Sequence, residues 1–476
     1  MNFEPTPFHI SKLKLNNFRC FETLEVSLHP NLTVFVAENG GGKTSVLEGI
    51  SIALGDLVNA LTSVDQRLRS GVGFKDTDFR QHSETDAKER VHTIPADYIQ
   101  SIITCNLNAK AYNWDAWKPR HAENKPAELK GNIELKELAK EIFERGGRKI
   151  VNEGGFQGEF ADTYLPALAY YGFNKSIFKI PQRIRGGKLN YGSPFSTYIG
   201  CLRSGGDMKE FLTWFDEAES TEFRMNKNAA PDDYDTDRPL QAVRDALEST
   251  LSTAEKKFSN PRFEEKPKRF CLDEIQADGE KQELEIAQLS DGYTRMLTII
   301  MDYARRLGLA NQFVDLRPLE CPGVVLIDEI DIHLHPRWQQ RVISDLVRTF
   351  PKTQFIITTH SPQVLSTVPA ECIRVIHVEN GKGWTVTPDA QTEGTESSSV
   401  LAAIMGVDAL PEIEATNWLN QYYTHIDNGT HETPGAVELW VKLIHHYGTR
   451  HNIIKDCERL IRFRTIKNRG NKPDQG

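Results

Sequence analysis

One short segment constrains the fold of this chain more than any other: Ala37-Glu38-Asn39-Gly40-Gly41-Gly42-Lys43-Thr44. It follows residues 32–37, an apolar and β-branched run that predicts a strand buried on both faces. It precedes residues 44–57, whose apolar side chains have helical spacing. Glycines permit the tight turns and the close approach with which backbone N–H groups surround a phosphate. The segment therefore predicts a strand, a phosphate-binding loop and a helix, in that order.

The chemistry of the loop residues indicates ATP and Mg²⁺ as ligands. Lys43 carries an ammonium that would neutralise the β- and γ-phosphates, and Thr44 carries a hydroxyl that would ligate Mg²⁺. The dipole of the following helix adds to the attraction for anions. The first position of such loops usually holds glycine and here holds Ala37, which is also small. We predict that the nucleotide binds to Asn39, Gly40, Gly41, Gly42, Lys43, Thr44 and Ser45.

A pair of carboxylates ends a second apolar strand. Residues 324–327 are apolar, and Asp328 and Glu329 follow them directly. Ligands of open α/β sheets collect at the carboxyl ends of strands. We predict that Asp328 holds Mg²⁺ and that Glu329 orients or deprotonates the attacking water.

Two further motifs adjoin regular structure. Leu289-Ser290-Asp291-Gly292-Tyr293 precedes a helical pattern, where the Ser290 hydroxyl and the Gly292 amide can donate to a phosphate. Thr358-Thr359-His360-Ser361 follows a strand over 353–360, and His360 is predicted to contact the γ-phosphate. His333 and His335 invite a metal cluster with His360, but no further ligand spacing supports one.

In this order the motifs resemble those of the ABC-type ATPases. The opening segment LKLNNFRCFETLEVSL resembles the first strands of proteins in one branch of that family, which contains the SMC, RecF and overcoming-lysogenization-defect (OLD) proteins. AENGGGKT is similar to Walker A, LSDGY to the signature, VVLIDE to Walker B, IDIHLHP to the D-loop and TTHSP to the His-switch. The signature departs from its usual Gly-Gly-Gln at positions 291–293. The resemblance implies an α/β fold. We expect an ABC-ATPase head with a mixed β-sheet and a P-loop core, a largely helical mid-chain insertion and a helical C-terminal tail.

The same resemblance implies an assembly and three further site residues. It implies a head-to-tail dimer, in which the signature of one chain covers ATP bound to the other. Asn17 and Arg19, in the NNFRCF turn, are expected near the nucleotide. A glutamine that links the metal to the inserted region is expected after the first helix, and Gln81 and Gln66 are both candidates.

Within the branch, the HLHP segment, the insertion and the short helical tail resemble PtuA, the ATPase group of Septu-type and retron-associated anti-phage systems. The resemblance implies an ATPase that controls a separate HNH-type, PtuB-like nuclease and has no nuclease centre of its own. Retron RNA or DNA and a reverse transcriptase are further partners that it suggests.

One alternative is a RecF- or SMC-like DNA-repair ATPase that binds DNA through the basic stretch 450–472. Another is an ATP-sensing scaffold that hydrolyses slowly.

Composition and patterning set the remaining expectations. The 476 residues carry a net charge of −9 and contain no apolar run of about 18 residues, so no membrane span or secretion signal is expected. The seven cysteines lie far apart without a CxxC pair, which fits a reducing cytoplasm. We expect an ATPase core over 1–60 and 284–390, an inserted antiparallel-strand and helical subdomain over 61–283, and a helical partner-docking region over 391–476.

Overall fold

The computed structural model describes residues 1, 3, 6–62, 71–85, 91–146, 164–172, 193–203, 208–230, 233–250, 256–264, 268–313, 316–406, 411 and 413–470. Gln66, one of the two glutamine candidates, lies outside these residues. The chain divides into two compact units, residues 1–400 and 401–476.

Strands and helices alternate along the first unit. Its strands are β1 (Phe8–Phe18), β2 (Phe21–Ser27), β3 (Leu32–Val36), β4 (Gln81–Thr85), β5 (Val91–Pro95), β6 (Tyr98–Leu107), β7 (Lys110–Pro119), β8 (Ala167–Tyr171), β9 (Lys256–Glu264), β10 (Arg269–Gln276), β11 (Lys281–Glu285), β12 (Gly323–Ile327), β13 (Thr353–Thr358), β14 (Ile373–Glu379) and β15 (Lys382–Val386). Its helices are α1 (Lys43–Leu61), α2 (Ile133–Gly146), α3 (Met208–Met225), α4 (Arg238–Ser249), α5 (Asp291–Ala310), α6 (Pro336–Gln339), α7 (Val342–Thr349) and α8 (Pro362–Leu365), and α9 (Ser397–Met405) runs into the second unit.

Ten of these strands form one mixed sheet in the order β7-β6-β1-β2-β15-β14-β3-β13-β12-β8. The five from β14 to β8 are mutually parallel. Strands β3, β12, β13 and β8 are buried at every residue, as expected where a parallel sheet is covered on both faces. Because Thr358 pairs with Phe35 and Ile357 pairs with Ile327, these strands end at one edge. The predicted site motifs follow that edge.

Helix α1 is the principal core helix of the sheet. Its buried residues include Val46, Leu47, Ile50, Leu54 and Leu57, the set that the helical spacing predicted. Among the described residues, α1 alone is long and apolar enough to cross a membrane, by length and composition only. Because 72% of that stretch is buried inside the protein, the apolar composition is that of a core helix.

The region between the two halves of the expected ATPase core contributes to the main sheet. Strands β6 and β7 extend the sheet beyond β1, and β8 pairs with β12. Pairings between strands about 90–150 residues apart leave no signal in a local pattern, and the boundaries 61–283 stay a prediction. The rest of the region forms helices α2 to α4, the three-stranded sheet β11-β10-β9 and the hairpin β4-β5.

The predicted fold class is confirmed: a mixed sheet with a phosphate-loop core is followed by a helical C-terminal region. The second unit contains α10 (Glu414–Asn428), α11 (Pro434–Tyr447) and α12 (Asn452–Gly470). These helices share a core that includes Leu419, Tyr422, Leu443 and Cys457. The second compact unit begins at residue 401, and the expected partner-docking region over 391–476 stays a prediction.

Candidate functional site

The loop between β3 and α1 depends on its glycines. Gly40 and Gly42 have φ angles of +80° and +87°, in the left-handed region that glycine adopts without strain. A Cβ on Gly42 would also lie 2.3 Å from the Phe21 ring. A Cβ on Gly41 would lie 2.7 Å from the Cβ of Ala37. The loop thus accommodates Ala37 at its first position because Gly41, which faces it, has no side chain.

Lys43 folds back over this loop. Its Nζ donates to the carbonyl oxygen of Ala37 at 3.0 Å and to that of Glu38 at 3.5 Å, and the residue is only 6% exposed. Burial lowers the pKa of the ammonium, and the carboxylates of Glu329 and Asp328 oppose that effect. The lysine is therefore a partly desolvated cation between the loop backbone and the predicted catalytic carboxylates.

Thr44 and Asp328 form the geometric centre of the candidate site. The Thr44 hydroxyl donates to Oδ2 of Asp328 at 2.9 Å, and the Thr358 hydroxyl donates to Oδ1 at 2.6 Å. Asp328 is only 2% exposed, so its orientation is fixed from both sides. A hydroxyl beside a carboxylate is a set of hard oxygen ligands, which suits Mg²⁺. The residues present fit that ion.

Glu329 lies immediately beyond this pair with an unusual backbone. Its φ angle is +50°, and its N–H donates to the Thr358 hydroxyl at 2.7 Å. Burial raises the pKa of its carboxyl, Asp328 raises it further, and His360 and Lys43 oppose the rise. A carboxylate with a raised pKa is a stronger proton acceptor, which is what a general base requires.

His360 is held next to the same strand ends. Its backbone N–H donates to Oδ1 of Asp331 at 3.3 Å, and the Thr359 hydroxyl donates to the same oxygen at 2.6 Å. His360 is half-buried, and it lies close enough to Glu329 to lower the pKa of that carboxyl. Asp331 thus links the segment after β12 to the end of β13.

The LSDGY segment begins α5. Ser290 precedes the helix as its N-cap and is exposed, whereas Gly292 is buried. A Cβ on Gly292 would lie 2.2 Å from the carbonyl oxygen of His333, so the D-loop backbone packs where a side chain would be. The Tyr293 ring packs edge-on against Trp338, with centroids 4.9 Å apart. The signature-like and D-loop-like segments therefore form one packed unit.

Helix α5 also reaches the carboxylate pair. Arg295 is buried, and its Nη2 donates to the carbonyl oxygen of Asp328 at 2.5 Å. At the other end of the segment, Ser290 shares a cavity of about 70 Å³ with His333 and His335, both of which are exposed. The described part of the chain contains no group of three or more His, Cys, Asp or Glu side chains that could hold a metal ion.

Two predicted residues have other partners in this structure. The guanidinium of Arg19 pairs with Glu48 of α1 and with Asp78, whose Oδ1 accepts from Nε at 3.0 Å. Gln81 is exposed at the start of β4, and its amide donates to the carbonyl of Phe79 at 3.3 Å. Their roles beside the nucleotide and the metal stay predictions.

Three residues of this arrangement were given no role from the sequence: Thr358, Asp331 and Arg295. The signal for Thr358 was available, since it is the final hydroxyl-bearing residue of an apolar strand that ends beside the Asp-Glu pair. Asp331 accepts from the Thr359 hydroxyl and the His360 N–H, and Arg295 donates to a backbone carbonyl. These partners lie on distant segments, for which the sequence has no local pattern.

The parallel sheet, the glycine loop, the Thr44–Asp328 pair and the adjoining Glu329 define the chain as an ABC-type ATPase. Residues 12–163 match the protein family described as "AAA domain", and residues 199–366 match "AAA domain, putative AbiEii toxin, Type IV TA system". Short stretches of the chain are also similar to RecF and OLD proteins, which belong to one branch of these ATPases.

Several known proteins are similar to this chain. "Retron Vc95 probable ATPase" of Vibrio cholerae is 25% identical over 427 residues, which cover 83% of this chain and 78% of that protein. "Retron Ec83 probable ATPase" of Escherichia coli is 26% identical over 492 residues, with 92% and 84% covered. "Septu protein PtuA" of Bacillus mycoides is 31% identical over 146 residues, with 30% and 20% covered. A solved SMC head bound to the C-terminal winged-helix domain of ScpA has a TM-score of 0.41 and 14% identity, with 79% and 97% covered.

Proposed function

We propose that this chain is the ATP-hydrolysing regulatory subunit of an anti-phage defence system, and that it controls a separate HNH-type nuclease through nucleotide-dependent dimerisation. The observation that carries the ATPase assignment is the 2.9 Å contact between the Thr44 hydroxyl and the Asp328 carboxylate, with Glu329 directly beyond it. The defence role is supported by the similarity to two retron ATPases along most of the chain and to a Septu protein over 30% of it.

Each step of hydrolysis has a residue of this chain assigned to it. The N–H groups of residues 39–45 and the Lys43 ammonium bind the β- and γ-phosphates. Thr44 and Asp328 would hold Mg²⁺, which would neutralise charge on the phosphate oxygens. Glu329 accepts a proton from the attacking water, and its raised pKa favours that transfer. His360 lies beside Glu329 and contacts the γ-phosphate.

Dimerisation follows from the position of the signature-like segment. Ser290 is exposed at the N-terminus of α5, where its hydroxyl and the helix dipole are available to an anion. We propose that this end covers ATP bound to the loop of a second copy, in a head-to-tail dimer. Because Gly292 has no side chain, the backbone of the D-loop-like segment packs directly against this end of α5.

The helical unit is the proposed docking region for the nuclease. Val441 of α11 and Phe463 of α12 are 59% and 68% exposed, more than core packing would leave. The retron relatives add RNA or DNA and a reverse transcriptase as further proposed partners of the assembly.

The test measures two activities separately. The purified chain is incubated with ATP in one assay, and with plasmid DNA and tRNA in Mg²⁺ or Mn²⁺ in the other. Each assay is run with the chain alone and with a co-purified HNH protein. We expect ATP hydrolysis by the chain alone and nucleic-acid cleavage only with the partner. Cleavage that persists through purification of the chain alone, and that is lost on changing one of its carboxylates, would contradict the division of labour.

A second candidate function is that of a RecF- or SMC-like ATPase that binds DNA directly. Arg459 and Arg462 of α12 have side chains that are 80% and 78% exposed, which favours contact with phosphates. DNA binding that weakens steeply with salt and disappears in Arg459→Ala/Arg462→Ala, without any partner protein, would favour this function. The slowly hydrolysing scaffold is disfavoured, because Glu329 and its raised pKa serve no purpose in binding alone.

A further inference from the structure

The peptide unit that joins Asp328 to Glu329 is bonded at both of its polar atoms by side chains from other elements. Its carbonyl oxygen accepts from Nη2 of Arg295 at 2.5 Å, and its N–H donates to the Thr358 hydroxyl at 2.7 Å. Arg295 lies on α5 and Thr358 ends β13, so two separate elements meet on this one peptide. The orientation of the peptide sets the direction in which both carboxylate side chains leave the backbone.

The Thr358 hydroxyl is bonded to both of these residues at once. It donates its proton to Oδ1 of Asp328 at 2.6 Å and accepts from the N–H of Glu329. Because a hydroxyl has one proton to donate, the carboxylate fixes its rotation and directs a lone pair at the N–H. Thr358 is 0% exposed, so both bonds form where water does not compete for them. One side chain therefore connects the proposed metal ligand to the backbone of the proposed base.

The backbone of Glu329 requires support from its surroundings. Its φ angle of +50° lies in the left-handed region, which residues other than glycine adopt at a cost in free energy. The flanking N–H groups are also bonded: that of Asp328 to the carbonyl of Tyr171 at 2.8 Å, and that of Ile330 to the carbonyl of Thr358 at 3.1 Å. A conformation of this kind persists only where the surrounding structure holds it, and such conformations cluster at active sites.

The bonds to this peptide bear on the rate of hydrolysis more than on the binding of ATP. A general base acts only when it is directed at the proton that it accepts, and a displacement of about 1 Å can slow a reaction about 100-fold. Lys43, which is proposed to bind the phosphates, is held by the carbonyls of Ala37 and Glu38 instead. Loss of the Thr358 hydroxyl should therefore leave the phosphate loop in place and displace the carboxylates.

We propose that Thr358 is a positioning residue for ATP hydrolysis. Its hydroxyl holds the Asp328 carboxylate and the N–H of Glu329 in the one arrangement that directs the Glu329 side chain at the attacking water. Thr358 acts through these two residues and not by contact with ATP or water. This role rests on the proposed function of Glu329 as the general base.

The test compares three substitutions of Thr358 in the full chain. Thr358→Val keeps the shape of the side chain and its preference for a strand but removes the hydroxyl. Thr358→Ser keeps the hydroxyl and removes the methyl group, and Thr358→Ala removes both. We expect kcat to fall about 10–100-fold in the valine and alanine variants, while KM for ATP changes by less than about threefold. The serine variant should keep kcat within about threefold of the wild-type value.

Thr353→Val is the matched control, because it removes a buried hydroxyl from the other end of the same strand. Thr353 begins β13, is 2% exposed, and its hydroxyl is bonded to that of Tyr303 at 2.8 Å. We expect both valine variants to unfold at a lower temperature than the wild-type chain, since each loses a buried hydrogen bond. Only Thr358→Val should lose kcat per folded molecule. Its rate should stay low in excess Mg²⁺, because the base is displaced together with the metal ligand.

Three results would overturn the role of Thr358 while the wild-type chain still hydrolyses ATP: wild-type kcat in Thr358→Val, a serine variant as slow as the alanine variant, or recovery of the Thr358→Val rate in excess Mg²⁺. The last would reduce the hydroxyl to a device for retaining the metal ion. If Thr358→Val does not fold, the serine and alanine variants decide, since they differ by the hydroxyl alone. A wild-type chain without ATPase activity would overturn the proposed function, and the role of Thr358 with it.

Discussion

The hydroxyl of Thr44 donates to the carboxylate of Asp328 at 2.9 Å, although 284 residues separate them in the chain. The pairing exists because β3 and β12 end at the same edge of the parallel sheet, with β13 between them. Thr358, at the end of β13, fixes the other oxygen of the same carboxylate. The oxygen ligands for Mg²⁺ are thus placed by strand order rather than by any local segment.

Lys43→Ala is expected to abolish ATP binding. The change leaves the charge of the β- and γ-phosphates uncompensated beside the glycine loop. Calorimetric titration with ATP measures the effect, and an unchanged affinity would remove the phosphate-loop assignment. The variant is expected to fold with wild-type stability, because burial already disfavours the charged amine in the free protein. Thermal unfolding of both proteins checks that second expectation.

Glu329→Gln is expected to keep ATP binding and to slow hydrolysis by about 100-fold or more. The amide can still hydrogen-bond to water but cannot accept its proton, while Thr44 and Asp328 still hold the metal ion. Single-turnover kinetics with ATP measures the rate, and size-exclusion chromatography with ATP should show a trapped dimer. Glu320→Gln, on the same stretch of chain before β12, is a control that should hydrolyse normally. Wild-type turnover in Glu329→Gln would assign that residue a structural role.

The site motifs could be recognised in the sequence because each one is local, and the structure brings several of them to one edge of the sheet. The loop at 37–44, the Asp328-Glu329 pair and His360 each follow a run of apolar strand residues, and strand ends bind ligands in parallel sheets. The strands β3, β12 and β13 and helix α1 were predicted for the same reason, since the hydrophobic pattern over a few residues decides them.

Relationships between distant segments could not be predicted from one sequence. Nothing local indicates that β6 pairs with β1 or β8 with β12, so the sequence does not show that the inserted region contributes strands to the main sheet. The chain after β12 forms two short helices, α6 and α7, which are divided at Gln340 and Arg341. The Arg295 contact with the Asp328 carbonyl likewise depends on the packing of α5 against β12.

Asp56→Asn is expected to stabilise the protein at neutral pH. Burial raises the pKa of Asp56 to about 6, and Asp115 raises it in the same direction. The folded state therefore binds this proton more tightly than the unfolded state, and stability falls as the pH rises from about 4 through about 6. Removing the charge should raise the free energy of unfolding at pH 7.5 by at least about 1 kcal/mol, and by less at pH 4.5. Denaturant unfolding at the two pH values measures this, and an equal effect at both would contradict the assignment.

Gly292→Ala is expected to disrupt the signature-like segment. The new Cβ would lie 2.2 Å from the carbonyl oxygen of His333, so either α5 or the D-loop-like backbone must move. Such overpacking costs about 1–3 kcal/mol. Because Asp331 at the start of that backbone accepts from Thr359 and His360, the displacement should also slow ATP hydrolysis. Gly435→Ala in α11 is the matched control, since nothing lies within 4 Å of its Cβ position. Denaturant unfolding and steady-state ATP turnover measure both variants. A Gly292→Ala protein with the stability and turnover of Gly435→Ala would show that the signature-like segment and the D-loop-like backbone are not rigidly packed.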